Sequence, residues 1–154
     1  MTKLKVGEEA PDFVAKDSNG KDRSLKEFAG KILILYFYPK DDTPGCTKEA
    51  CSFRDQYEQF IKAGAEVVGV SSDSEESHQK FISKYKLPFT LLTDPKGELA
   101  KTYGVGKELL FIPGRTTFVI DREQKVQLVH SGMMNAEAHI TESLKIIENL
   151  SAQK

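Results

Sequence analysis

The stretch that most restricts the fold is Lys31-Ile32-Leu33-Ile34-Leu35-Tyr36-Phe37-Tyr38, apolar from Ile32 onward with no polar alternation. A strand with one wet face alternates and a strand covered on both faces does not, so this run is read as the central strand of a mostly parallel sheet flanked by helices. It stops at Pro39, which has no N–H for a sheet ladder and opens the loop Pro39-Lys40-Asp41-Asp42-Thr43-Pro44-Gly45-Cys46. Beyond the loop, Phe53, Tyr57, Phe60 and Ile61 fall at helical spacing and Gly64 offers a stop, which predicts one helix from about Cys46 to Ala63.

The remaining elements follow from similar signals. Asn19-Gly20 between two short segments predicts an N-terminal hairpin extension, because both residues tolerate positive φ. Ala65–Ser71 reads as a strand, and Asp73 with Glu76 as an acidic capping box for a helix carrying His78, Phe81, Ile82 and Tyr85. Residues 89–93 read as a strand, and Asp94-Pro95 as the opening of a short helix that runs through Ala100 to Tyr103 and ends at Gly104. Thr116–Ile120 and 125–129 flank a polar turn as an antiparallel pair, and a last helix, capped near Asn135, carries Ile140, Leu144, Ile147 and Leu150. The order implies an α/β, thioredoxin-like fold with a mixed central sheet, helices on both faces and an N-terminal β-hairpin extension. With 154 residues, 39% of them hydrophobic and 29% charged, residues 1–154 are expected to form a single domain.

A net charge of -1, with lysines interspersed among acids, gives no electrostatic footprint for nucleic acid or an anionic membrane. The opening Met1-Thr2-Lys3-Leu4-Lys5 lacks the apolar core of a secretory signal and no apolar run is long enough to span a bilayer, so the chain is read as soluble and, by default, cytoplasmic. His78, His130 and His139 form no metal constellation with the cysteines and are read as surface or ordinary helix and strand residues. Gly104-Val105-Gly106 is too weak to suggest a nucleotide loop.

Two cysteines, Cys46 and Cys51, are too few for a disulfide scaffold in a chain of this size and are better read as reactive. A thiol attacks an electrophilic oxygen as thiolate, and an unperturbed cysteine near pKa 8.5 is mostly protonated at neutral pH. The N–H groups and positive dipole end of a helix starting near Cys46 favour the charged form, and Arg115, just before a predicted strand, is the candidate cation. Thr43, three residues before Cys46, can cap the helix and meet the sulfur or a peroxide oxygen; Pro39 and Pro44 stiffen the loop, and Gly45 admits close backbone approach. Such a site holds an accessible, electron-rich sulfur where the sheet ends, suited to cleaving an O–O bond. The product would be a sulfenic acid, with Cys51 as the resolving thiol. Within one α-helix the two Cα atoms would lie roughly 8.7 Å apart and about 140° around the axis. A disulfide needs less than about 7 Å, so the first turns must unwind before the bond forms, and an external dithiol protein would then reduce it.

The pattern of Pro39, three residues, Thr43, two residues and Cys46 resembles that of the peroxiredoxins. Tyr36-Phe37-Tyr38-Pro39 leading to Thr43-Pro44-Gly45-Cys46-Thr47 looks like the Q-type branch, also called bacterioferritin comigratory protein. Val6-Gly7, Ala10-Pro11-Asp12-Phe13, Lys86-Leu87-Pro88-Phe89 and Pro113-Gly114-Arg115 extend the likeness over nearly the whole chain. The resemblance implies Cys46 as peroxidatic and Cys51 as resolving cysteine, Thr43 and Arg115 as the activating pair, and Glu49 as the residue that orients the arginine. It implies hydrogen peroxide and organic hydroperoxides as substrates, thioredoxin or a similar dithiol as reductant, no cofactor, and a monomer. It also makes a plastid the alternative compartment, should a transit peptide have been removed.

Plainer readings stand beside these. Cys51 is inert packing, Arg115 pairs with a surface carboxylate, Thr43 is only a cap, or Glu49 merely favours the helix dipole. The alternatives for the chain are a redox sensor, a thiol-disulfide exchange protein, though that chemistry usually sets its cysteines two residues apart, and a purely structural module.

Overall fold

The structure is a computed structural model and describes residues 4–105, 107–108, 112–113, 115–132 and 136–152. Strands β1 (Val14–Asp17) and β2 (Asp22–Ser24) form the expected hairpin, followed by a short 3-10 helix (Leu25–Phe28) and the central strand β3 (Ile32–Phe37). Then come α1 (Pro44–Asp55), α2 (Tyr57–Lys62), β4 (Ala65–Ser71), α3 (Glu75–Tyr85), β5 (Thr90–Thr93) and α4 (Glu98–Thr102). A two-stranded pair, β6 (Lys107–Glu108) with β7 (Ile112–Pro113), was not foreseen; β8 (Thr116–Ile120), β9 (Val126–Ser131) and α5 (Ala136–Ala152) complete the order. The expected cap at Asn135 and Gly114 of the motif before β8 lie outside the described residues.

Seven strands make one mixed sheet in the order β2-β1-β5-β4-β3-β8-β9. β3 pairs parallel with β4 and antiparallel with β8, so it lies inside the sheet, and all six of its residues are buried. Alternate residues feed two cores. Ile32, Ile34 and Tyr36 meet Phe53, Phe60, Phe81, Ile140 and Ile147 from α1, α2, α3 and α5 on one face. Leu33, Leu35 and Phe37 meet Leu25, Phe28, Leu99 and Tyr103 on the other. Each such side chain contributes roughly 1.5–3 kcal/mol by leaving water, which is why the run carries no polar residue.

Local chemistry moved several boundaries. The helix expected from Cys46 to Ala63 breaks at Gln56 (φ -101°, ψ 4°). The break lets Tyr57 donate to Glu66 Oε1 at 2.8 Å while the Phe60 ring stays against Phe53 at 5.6 Å. In the hairpin only Gly20 adopts positive φ (77°), because the Asp17 carboxylate accepts from the N–H groups of Asn19 and Lys21 and shapes the turn itself. Ser74, not Asp73, caps α3 by accepting from Ser77 N at 3.1 Å. Asp73 is committed elsewhere, to Asp41 N and Ser71 Oγ at 2.7 Å each. The helix expected to open at Asp94-Pro95 begins at Glu98, since Asp94–Gly97 closes a turn first and the Asp94 carboxylate then accepts from Leu99 N and Ala100 N. Among the described residues no helix is long and apolar enough to cross a membrane.

Candidate active site

The register between β3 and β8 builds one side of the site. Phe37 pairs with Thr116, so Arg115, one residue earlier, lies at the sheet end where β3 hands over to the loop. The loop builds the other side. Thr43 is the N-cap of α1 in extended conformation, Pro44 takes the first helical position, and Cys46 falls in the first turn. Pro44 has no N–H and Thr47 N already donates to Thr43 O at 2.8 Å, which leaves the Gly45 and Cys46 N–H groups as the donors the helix start cannot use internally.

Arg115 joins the halves. Its Nη2 donates to Cys46 Sγ at 3.3 Å and its Nη1 to Glu49 Oε1 at 2.5 Å, with both side chains essentially buried. A Cβ on Gly45 would stand 3.0 Å from Nη2, so a side chain there would crowd the guanidinium off its position. Cys46, Glu49, Ala50 and Phe53 form the buried stripe of α1, whereas Cys51 is half-buried on a flank turned away from it. Both cysteines are free thiols in one helix, so the separation expected from helical geometry applies.

Two expectations need correction. Cys46 is only 1% exposed, more enclosed than the accessible sulfur anticipated, because Arg115 and the apolar core close around it. The Thr43 hydroxyl makes neither the cap nor a sulfur contact: it donates to Lys40 O at 2.9 Å, folding back over the loop. Pro39 sits half-buried at the end of β3, where Tyr38 N makes the last sheet-like bond to Val70 O at 3.0 Å.

The model of a family described as AhpC/TSA matches residues 6–129. The chain is 52% identical over 151 residues to the chloroplastic peroxiredoxin Q of Sedum lineare, covering 97% of this chain and 81% of that one. The chain belongs to this family, in its peroxiredoxin Q branch. Solved peroxiredoxins share the fold. Peroxidoxin BcpB of Mycobacterium tuberculosis superposes with a TM-score of 0.89 at 37% identity, over 95% of this chain and 97% of that one. The bacterioferritin comigratory protein of Xanthomonas campestris, studied for its alkyl peroxide reduction activity, superposes at 0.84 with 32% identity, over 90% and 92%. This peroxiredoxin is thus a thiol peroxidase on a thioredoxin-like fold. The chloroplastic relatives overturn the cytoplasmic expectation, which rested on the absence of targeting signals alone.

Beneath the sulfur of this peroxiredoxin, Glu49, which the resemblance nominated, meets His139, which sequence reasoning missed. His139, expected at an ordinary helix position, is fully buried. Its Nε2 lies 3.0 Å from Gly132 O, which only accepts, so Nε2 carries the hydrogen and Nδ1 accepts from Thr117 Oγ1 at 2.8 Å. Burial pushes His139 down to about 4, so the neutral ring makes no ion pair with Glu49 Oε2 at 3.6 Å. That oxygen has no hydrogen-bond partner among the described residues. Burial outweighs the attraction of Arg115 and pushes Glu49 up to about 8. Burial by itself would lower Arg115, but Glu49 and Cys46 raise it above its ordinary value, so it stays charged. The one sequence signal for His139 was its place beside Ile140 on the apolar side of α5.

These shifts fix a pH dependence of stability. Glu49, raised from 4.5 to about 8, stabilises fully below 4.5 and loses that contribution as pH rises to 8. His139, lowered from 6.5 to about 4, stabilises fully above 6.5 and loses its contribution as pH falls to 4. The two slopes cancel between 4.5 and 6.5, and Glu49 alone leaves a fall of about 2 kcal/mol from pH 6.5 to 8, which stands by itself in Cys46→Ser, where no thiol beside Arg115 changes its charge over the same range. Urea unfolding of Cys46→Ser at both pH values should show that fall, and adding Glu49→Gln should abolish it; a Cys46→Ser protein equally stable at both would refute the balance.

Proposed function

We propose that Cys46 is the sulfur that attacks peroxide, that Cys51 resolves the product as an intramolecular disulfide, and that thioredoxin or a similar dithiol protein recycles the enzyme. The observation that carries this reading is the 3.3 Å hydrogen bond from Arg115 to Cys46 Sγ at the start of α1. A donated N–H, a full positive charge and a helix N-terminus together favour the thiolate. The substrate, hydrogen peroxide or an organic hydroperoxide, reaches the buried sulfur past exposed Pro44 and Gly45. The thiolate attacks one peroxide oxygen, the O–O bond breaks, and the other oxygen departs as water or alcohol after taking a proton. Arg115 and the Gly45 and Cys46 N–H groups stabilise the charge on that departing oxygen, Glu49 holds the guanidinium in place, and Pro39 and Thr43 shape the loop.

The sulfenic acid then loses water to the Cys51 thiol as the disulfide forms. Because both residues lie in α1, the helix unwinds for that step. Thiol exchange with the dithiol reductant returns both thiols and closes the cycle. The enzyme works as a monomer, as one domain over residues 1–154, without nucleic acid or membrane, and in a plastid, in keeping with its chloroplastic relatives. Peroxide consumption measured with thioredoxin and its reductase tests this reading against a sensor. Sustained turnover, ceasing after one equivalent when the reductant is omitted, is expected. A single oxidation with the full reducing system present would defeat it.

A further inference from the structure

Outside the Cys46, Glu49 and Arg115 cluster, Asp41, in the loop between β3 and α1, is a buried carboxylate with three side-chain partners. Its Oδ1 accepts from Tyr38 OH at 2.5 Å, its Oδ2 accepts from Ser77 Oγ at 2.9 Å and faces His78 Nδ1 at 2.7 Å, and its N–H donates to Asp73 Oδ2 at 2.7 Å. His78, expected to be an ordinary helix residue, is fully buried, and its Nε2 lies 2.9 Å from Leu92 O. A carbonyl only accepts, so Nε2 carries a hydrogen; the 2.7 Å contact between Nδ1 and Oδ2 then requires one further proton, on the ring or the carboxyl. His78 therefore ties β5 to the loop. The peroxide chemistry itself uses none of this.

The next residues pass that anchoring on to the helix start. Asp42 adopts positive φ (57°), with its carboxylate accepting from Lys84 Nζ at 2.8 Å and Tyr85 OH at 2.7 Å. Thr43 then folds its hydroxyl back on Lys40 O and stands in extended conformation at the N-cap position of α1, without a side-chain cap bond. At the far end of α1, Arg54 Nη1 donates to Tyr85 O at 2.7 Å. Helix α3 thus holds the chain on both sides of the segment that contains Cys46 and Cys51.

We propose that His78 is a positioning residue for the peroxide reaction: through Asp41 it fixes the loop that sets the start of α1, and with it the Cys46 sulfur and the Gly45 and Cys46 N–H groups. This rests on Cys46 being the reacting sulfur. The test is the second-order rate of the first oxidation by hydrogen peroxide, read by quench and mass spectrometry, beside the melting temperature of each variant. His78→Leu and Asp41→Ala should each slow oxidation about tenfold. Combined, they should be no slower than either alone, since both break one link. Asp41→Asn, which can donate to Nδ1 of a neutral ring, should recover most of the rate. Leu99→Ala, in the core on the opposite face of the sheet, should lower the melting temperature and keep the wild-type rate.

A His78→Leu rate no lower than that of Leu99→Ala would overturn the proposal. Should His78→Leu fail to fold, the Asp41 pair decides, and Asp41→Asn no faster than Asp41→Ala would overturn it equally. If Cys46→Ser still consumes peroxide, the failure lies in the underlying assignment of the sulfur.

Discussion

Cys46→Ser is expected to consume no peroxide, with or without a dithiol, while keeping its fold. Serine nearly matches the thiol in size, and the hydroxyl can still accept from Arg115, so the buried stripe of α1 keeps its packing. Its oxygen, however, does not ionise near neutral pH and is a poor nucleophile toward peroxide. Cys51→Ser should behave differently: it reduces its first equivalent at the wild-type rate and then stalls with thioredoxin, because the sulfenic acid lacks its internal partner. Cys51 is half-buried on a flank of α1 away from Arg115 and is expected to take no part in the first step. Peroxide consumption in single- and multiple-turnover experiments separates the two outcomes. Equal loss of the first equivalent in both variants would contradict the division of roles.

Arg115→Met should lower kcat/KM for peroxide by about 10²–10³, the scale of removing one aimed donor from a charge that develops in the transition state. The guanidinium donates to Cys46 and Glu49 from one rigid fork, so a single ammonium cannot reproduce both bonds, and Arg115→Lys should restore only a minor part of the loss. Stability should suffer less than activity. Without its partner, Glu49 can remain neutral in its buried position, a form that burial already favours. Circular dichroism melts beside the kinetics check this. Arg115→Met within a few-fold of wild type would remove the arginine from the mechanism.

Much of the fold was legible because its signals are local. The unbroken run of β3 announced burial on both faces, and the Pro39-to-Gly45 loop placed Cys46 in the first turn of a helix. Arg115 could be nominated from its place before a strand, but its contact with the sulfur depends on the register that pairs Phe37 with Thr116. Glu49 was available only through the family resemblance, for the same reason. What stayed hidden were polar groups whose partners lie far along the chain. His78 shares the apolar stripe of α3 with Phe81, and nothing in that stripe points to Asp41, 37 residues earlier. Thr43 shows another limit: a hydroxyl with several acceptors in reach chooses among them by loop geometry, which composition does not encode.

Mass spectrometry after one equivalent of hydrogen peroxide addresses the central assignment most directly. Peptide mapping of the wild type should find Cys46 joined to Cys51 within one chain, and Cys51→Ser should carry a single added oxygen on Cys46. Oxidation of Cys51 with Cys46 left as a thiol, or a wild type in which neither residue reacts, would contradict it.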